Sequence, residues 1–251
     1  MIALDTVHHA DLFDLCAQLD AGSVDMILAD LPYGTTACAW DTVIPFEPMW
    51  AAFRRVIKPR GAIVLTASQP FTSALVMSWP QGFKYEWAWD IVAPTGHLNV
   101  KMRPMRQHDN ILVFCDGVAP YFPQFRKGVT PHAANGIGQA GAYGKFGDVR
   151  RTGVGYPSTV IRFMRPGNFG VISEHPTQKP VALFEYLIRT YTQPDELVFD
   201  PTAGSGTTAI AARNTGRHYI VGDSSAEYVD VIRARLAKPY TLPMLELEDN
   251  A

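Results

Sequence analysis

LVFDPTAGSGTTAIAARNTGRHYIVGD, residues 197–223, decides the fold. Leu197 to Phe199 reads as a short buried strand that meets a Gly-rich turn at Asp200 to Gly206; a helix follows, and His218 to Val221 forms a second strand ending in Gly222-Asp223. Strand, tight turn, helix and strand in so short a run imply two parallel strands with a helical crossover. The glycines let backbone come close to a ligand, the helix N-terminus offers free N–H groups to an anion, and an acid at the tip of the next strand can accept hydrogen bonds from ribose hydroxyls. A nucleotide-type cofactor site is the expectation, with a ligand-free helix cap as the bland alternative.

The same rhythm runs through residues 1–115. Leu12, Leu15, Cys16 and Leu19 make a helical stripe that Asp11 can cap, and Val24 to Ala29 is a buried strand. Met49, Trp50, Phe53 and Ile57 mark a second helix stopped by Pro59-Arg60-Gly61. Ala62 to Thr66 is a strand, Phe71 to Trp79 a helix, and Lys84 to Val92 and Asn110 to Phe114 are two more strands joined by the basic stretch His97 to His108. From 116 to 174 the chain is rich in Gly, Pro, aromatic residues and Arg, and no regular pattern is expected there. Helices are expected from Pro180, with Phe184, Leu187, Ile188 and Tyr191 on one face, and over Ala226 to Leu236; the last dozen residues read as a tail. The fold class is α/β, a doubly wound, mostly parallel sheet.

Asp30-Leu31-Pro32-Tyr33-Gly34 follows the strand Val24 to Ala29, at the carboxyl edge where open α/β sheets build their sites. An amino group on a nucleobase is a poor nucleophile because its lone pair is delocalised into the ring. The Asp30 carboxylate and a carbonyl of the Leu31-Pro32 turn could accept its two N–H bonds, while Tyr33 offers a face for stacking worth about 1–3 kcal/mol. Taken alone, the motif could equally be a capped strand end.

The glycine turn admits several ligands. A phosphate-binding loop needs Lys where Thr207 stands, which discounts it; Gly204, Gly206 and Ala209 fit a dinucleotide pattern, although little chain follows Asp223 to complete one. S-adenosylmethionine fits as well, its ribose against Asp223 and its carboxylate at the helix N-terminus.

Composition bounds the partners. The 251 residues are 47% hydrophobic and 18% charged, with a formal charge of −2, which describes a globular protein with one sizeable core. No apolar run approaches the roughly 20 residues of a membrane span, and no export signal is visible. Cys16, Cys38 and Cys115 show neither disulfide nor metal-ligand spacing, so no metal is expected. Charge is uneven: residues 97–165 carry ten Lys/Arg against three Asp, a block able to engage phosphates or to serve as a solvated face.

Taken together, Asp30-Leu31-Pro32-Tyr33, His175-Pro176-Thr177-Gln178-Lys179-Pro180 and Asp200-Pro201-Thr202-Ala203-Gly204-Ser205-Gly206 resemble the amino-methyltransferases that act on adenine N6 or cytosine N4 of DNA, and their order resembles the permuted β group. The resemblance covers residues 5–115 and 175–237. It implies that Asp30, Leu31, Pro32 and Tyr33 hold a flipped base. Asp11, Thr177, Lys179, Asp200, Pro201, Ala203, Gly204, Ser205, Gly206, Thr207, Thr208 and Asp223 would line S-adenosylmethionine, although Asp11, Thr177 and Lys179 could instead only cap helices. Leu31 stands where Pro is usual and Asp223 where Glu is common; the acid at position 30 favours adenine.

The implied organisation is a catalytic half at 1–115, a target-recognition insertion at 116–174, a cofactor half at 175–238 and a tail at 239–251. Double-stranded DNA would be the partner, held by Arg103, Arg106, Arg126, Lys127, Arg150 and Arg151; a homodimer and a cytoplasmic, bacterial or phage-encoded setting accord with the family. Methylation of RNA or of a protein amide, a nicotinamide dehydrogenase, and a DNA-binding module with an inactive cofactor fold stay open as alternatives.

Overall fold

A computed structural model describes residues 2–35, 41–126, 155–167 and 178–238. Two compact units emerge, one grouping residues 1–122 with 159–242 and the other 123–158 with 243–251. The described part of the second unit is small: Arg126 and Gly155 form an antiparallel bridge, and the rings of Phe125 and Tyr156 meet edge to face at 5.0 Å.

The first unit holds an eight-stranded sheet. In chain order its elements are β1 (Thr6–His9), α1 (Leu12–Ala17), β2 (Val24–Asp30), α2 (Phe46–Val56), β3 (Ile57–Ala67), α3 (Phe71–Ser78), β4 (Phe83–Thr95), β5 (Arg106–Phe114), β6 (Val160–Arg162), α4 (Val181–Tyr191), β7 (Leu197–Asp200), α5 (Thr207–Asn214), β8 (His218–Asp223) and α6 (Ala226–Leu236). The strand order is β1-β8-β7-β2-β3-β5-β4-β6, with β5 antiparallel to both neighbours and every other pairing parallel. The expected doubly wound, mostly parallel sheet is present.

Both faces of this sheet are covered, which explains why β2 is an almost unbroken apolar run. Leu12, Leu15, Met49, Phe53 and Leu75 of α1–α3 pack on one face with Ile27, Ile63 and Phe199. Leu183, Phe184, Leu187, Ala209, Ala212 and Ile232 of α4–α6 pack on the other with Met26, Leu28 and Val198. Burying a Leu- or Phe-sized side chain contributes roughly 1.5–3 kcal/mol, so these two layers account for the sheet's rigidity.

Three departures from the sequence expectations have local causes. The second helix ends at Val56, and Ile57 already pairs with Val24; the next pairing is Met26 with Ala62, so Pro59-Arg60-Gly61 sits in a bulge inside β3 rather than before it. Gly61 is required there, because a Cβ would lie 2.7 Å from the Asp25 carbonyl oxygen. β1 and β6 lie outside the sequence expectations because TVHH and VIR are short and lack the continuous apolar run that marks β7 (LVFD). The β4–β5 connection shrinks to residues 96–105, as both strands run further than their apolar stretches.

Candidate active site

β2 and β7 are neighbours, with Met26 opposite Val198 and Ile27 opposite Phe199, so their carboxyl ends place the Asp30 turn beside the Asp200–Gly206 turn. Both turns line one cavity of about 420 Å³. One bond joins them directly, the Thr202 hydroxyl donating to the Asp30 carbonyl at 3.4 Å; beside it the Thr208 hydroxyl donates to the Leu28 carbonyl at 3.4 Å and the Thr207 hydroxyl to the Lys179 carbonyl at 3.2 Å. Residues distant in the chain thus share one crevice at the strand tips.

Asp30 is held from several sides. Its Oδ1 accepts from the Tyr33 hydroxyl at 2.7 Å and from the Thr66 hydroxyl, and its Oδ2 pairs with the Lys179 ammonium. Tyr33 Oη also lies 3.0 Å from Thr66 Oγ1. The Tyr33 ring stacks on Phe71 at 5.1 Å, and Lys179 Nζ stands 5.9 Å from its centroid. Burial, then the neighbouring Asp30 charge, pushes the Tyr33 phenol well above its ordinary value, so it stays a hydrogen-bond donor. Asp41 fastens the following turn, accepting from the Gly34 and Thr35 amides at 2.8 Å each.

On the other wall, the Asp223 carboxylate accepts from the Gly204 amide and the Ser225 amide at 2.9 Å each. Both bonds fix its orientation and leave lone pairs for a ligand's hydroxyls. Gly204 has a φ of +50°, and a Cβ on it would meet nothing within 4 Å, so its backbone faces open space. Asp11 caps α1, accepting from the Asp14 amide at 2.9 Å, and also lines the cavity. Asp200 is buried and accepts from the Thr208 hydroxyl at 2.5 Å and the Thr202 amide at 3.0 Å. Burial raises its carboxyl to about 7, the charges of Asp30 and Asp223 adding to the rise.

Of the residues expected from sequence, Asp11, Asp30, Leu31, Pro32, Tyr33, Lys179, Asp200, Pro201, Ala203, Gly204, Ser205, Thr207, Thr208 and Asp223 all line this cavity. Gly206 does not; it faces α6, where a Cβ would come within 2.8 Å of Ile232. Thr177, Lys127, Arg150 and Arg151 lie outside the described residues. Arg103 is exposed, Arg106 pairs with Asp109 at 3.3 Å, and Arg126 belongs to the second unit. Sequence reading missed Thr66, Asp41 and Phe71; a hydroxyl closing the apolar run Ile63-Val64-Leu65 was the available signal for Thr66.

The cavity is acidic. Asp11, Asp30, Asp41, Asp200 and Asp223 line it, with Lys179 as the cation among the described lining residues. A ligand carrying a cationic centre suits it, whereas the pyrophosphate of a dinucleotide does not. A group with an adenosine ribose, a sulfonium and an amino acid end fits that donor set, the open face of Gly204 and the fixed Asp223. Among the described residues, no cluster of His, Cys, Asp or Glu could hold a metal ion, and no helix is long and apolar enough to cross a membrane.

The fold and the acidic lining of the cavity suit an α/β enzyme that takes a nucleoside cofactor with a cationic centre. The chain belongs to the N6/N4 DNA methylase family, whose sequence profile matches residues 24–234. It is similar to the type II methyltransferase M2.LlaDCHI of Lactococcus lactis subsp. cremoris, at 26% identity over 93% of this chain and 89% of the relative. Among solved structures it resembles M1.HpyAVI in complex with S-adenosylmethionine (TM-score 0.60, 23% identity, 92% of this chain and 98% of the other). It also resembles the cytosine-N4-specific PvuII DNA methyltransferase (TM-score 0.66, 17% identity, 94% of this chain and 87% of the other). S-adenosylmethionine is the methyl donor of this family.

Proposed function

We propose that this protein methylates the exocyclic N6 of adenine in double-stranded DNA. The observation that carries the reading is the Asp30 carboxylate, fixed by Tyr33, Thr66 and Lys179 on the wall of the same cavity as Asp223 and Gly204. The bound cofactor supplies a sulfonium methyl. Asp223 would hold the ribose through its free lone pairs, and Gly204 would leave it room to approach. Asp30 and a carbonyl of the Leu31-Pro32 turn accept the two N–H bonds of the amine and aim its lone pair; these are positioning and electrostatic effects. Asp30 can then take the proton that the methylated amine sheds. Tyr33, backed by Phe71, offers its ring to the base, an interaction that offsets part of the few kcal/mol needed to extrude it.

Cytosine N4 is the second reading, favoured by the likeness to a cytosine-N4 enzyme. One experiment separates them. The protein is incubated with labelled S-adenosylmethionine and unmethylated DNA, and the product is digested to nucleosides. Label in N6-methyl-2′-deoxyadenosine supports the proposal; label in N4-methyl-2′-deoxycytidine transfers the same site to the other base. Label in neither, with cofactor binding intact, overturns DNA methylation.

A further inference from the structure

The longest strand pair of the sheet ends in an arm. Asp30 pairs with Thr66, Thr66 with Ile111 and Ile111 with Trp87, which fixes the level of the active site on β5 and β4. Beyond that level the two strands continue to the Thr95–Arg106 pairing, five residues further along β5, a rise of roughly 17 Å at strand spacing. Because β4 runs parallel to β2 and β3, this overhang stands at the same edge as the cavity. It is two to three strands away, on the order of 10–14 Å. Gly96, at a φ of +92°, and a single helical turn at His97–Asn99 shape its tip.

That tip is apolar and cationic at once. Leu98 is 86% exposed and Met102 79%, with Val100 and Met105 also open to solvent. Lys101 and Arg103 alternate with them and have no acidic partner among the described residues. The arginines nearer the sheet are ion-paired, Arg106 and Arg165 sharing the single carboxylate of Asp109 and Arg162 meeting Asp90. The cations beside the apolar side chains have no such pairing among the described residues.

We infer that residues 96–105 form a wedge that enters the duplex beside the target, Leu98 and Met102 filling the space the extruded base vacates while Lys101 and Arg103 hold the flanking phosphates. Large apolar side chains set among cations suit a base step, whose faces are apolar and whose rim is anionic. A two-stranded ribbon also fits the major groove. The inference rests on the DNA-methylation reading above.

The test uses the full chain and a synthetic duplex containing the site that sequencing shows the wild type to methylate, with the target base either paired or opposite an abasic position. L98S/M102S should lose about tenfold or more in single-turnover rate on the paired duplex and under about threefold on the abasic one, where extrusion costs less. K101Q/R103Q should instead weaken binding to both duplexes and flatten the salt dependence. Equal loss on both duplexes for L98S/M102S, no loss on either, or a change in oligomeric state would each overturn the wedge. Failure of the wild type to methylate any DNA would instead overturn the functional reading.

Discussion

Lys179 and Asp30, 149 positions apart in the chain, form an ion pair on the cavity wall, with their side chains 13% and 27% exposed. The lysine reaches Asp30 from just before α4, and the carboxylate it grips ends the central strand β2. Removing Asp30 (D30A) is expected to abolish methylation while cofactor binding stays measurable by calorimetry. Removing the ammonium (K179M) leaves the carboxylate to two hydroxyls, and turnover should fall roughly tenfold or more, with a smaller change in Kd for the cofactor. Turnover near wild type in either variant would remove the assigned role.

Thr66 is fully buried and touches both Asp30 and Tyr33. T66V keeps the shape but deletes the donor, leaving polar groups short of a partner at a cost of about 1–3 kcal/mol. Its kcat should fall with little change in KM for DNA, and T66S should recover most of it. A T66S variant as poor as T66V would show that the methyl group's packing matters rather than the hydroxyl.

Gly204 and Gly206 are two residues apart and should fail differently. In G206A, both the φ of +80° and the 2.8 Å approach to Ile232 oppose a side chain, and the left-handed backbone alone costs about 1–2 kcal/mol. Its melting temperature should drop. In G204A the φ of +50° opposes a side chain too, but the new methyl meets nothing within 4 Å, so its melting temperature should drop less than that of G206A while its cofactor affinity suffers more. Calorimetry and thermal melts on the two variants give the contrast, and equal effects on both readouts would contradict it.

Asp200 makes stability depend on pH. Its carboxyl is raised from 3.8 to about 7 in the folded chain, so between those values the folded state keeps a proton that the unfolded chain has released. The group's contribution is therefore fully present below about pH 4 and is lost as pH rises through about 7, by an amount on the order of 4 kcal/mol if nothing relaxes. D200N should flatten the fall in melting temperature between pH 5 and pH 8. A bound cation beside Asp200 favours its ionised form, so cofactor affinity in the wild type should rise over the same interval, and in D200N it should not.

The sequence disclosed those parts of the molecule in which one physical signal dominates. The buried run Val24 to Ala29 and the turn after Asp200 were legible because apolar continuity and glycine spacing leave few alternatives. β1 and β6 are short and polar or interrupted where β7 is continuously apolar, and they exist because β8 and β4 offer them unpaired backbone edges. β5 looks like any apolar strand; its antiparallel direction is set by the tight return from β4, which the long basic stretch concealed. In the site, the Asp and Gly positions followed from chemistry at strand ends. Thr66 and the grip of Lys179 on Asp30 depend on which parts of the chain adjoin in space, and local composition carries no record of adjacency; Asp41 is local, bonding the amides of Gly34 and Thr35, but no periodicity marks such a turn.

The sheet interleaves early and late parts of the chain: β1 lies against β8 and β2 against β7. During synthesis on the ribosome, the turn bearing Asp30 therefore emerges long before the strand that completes its pocket. A product released before β8 has no Asp223, lacks the neighbour of β1, and exposes the apolar flank of β7. Growing chains should consequently be inert towards nucleic acid modification until the last βαβ segment has left the exit tunnel, a delay written into strand order alone.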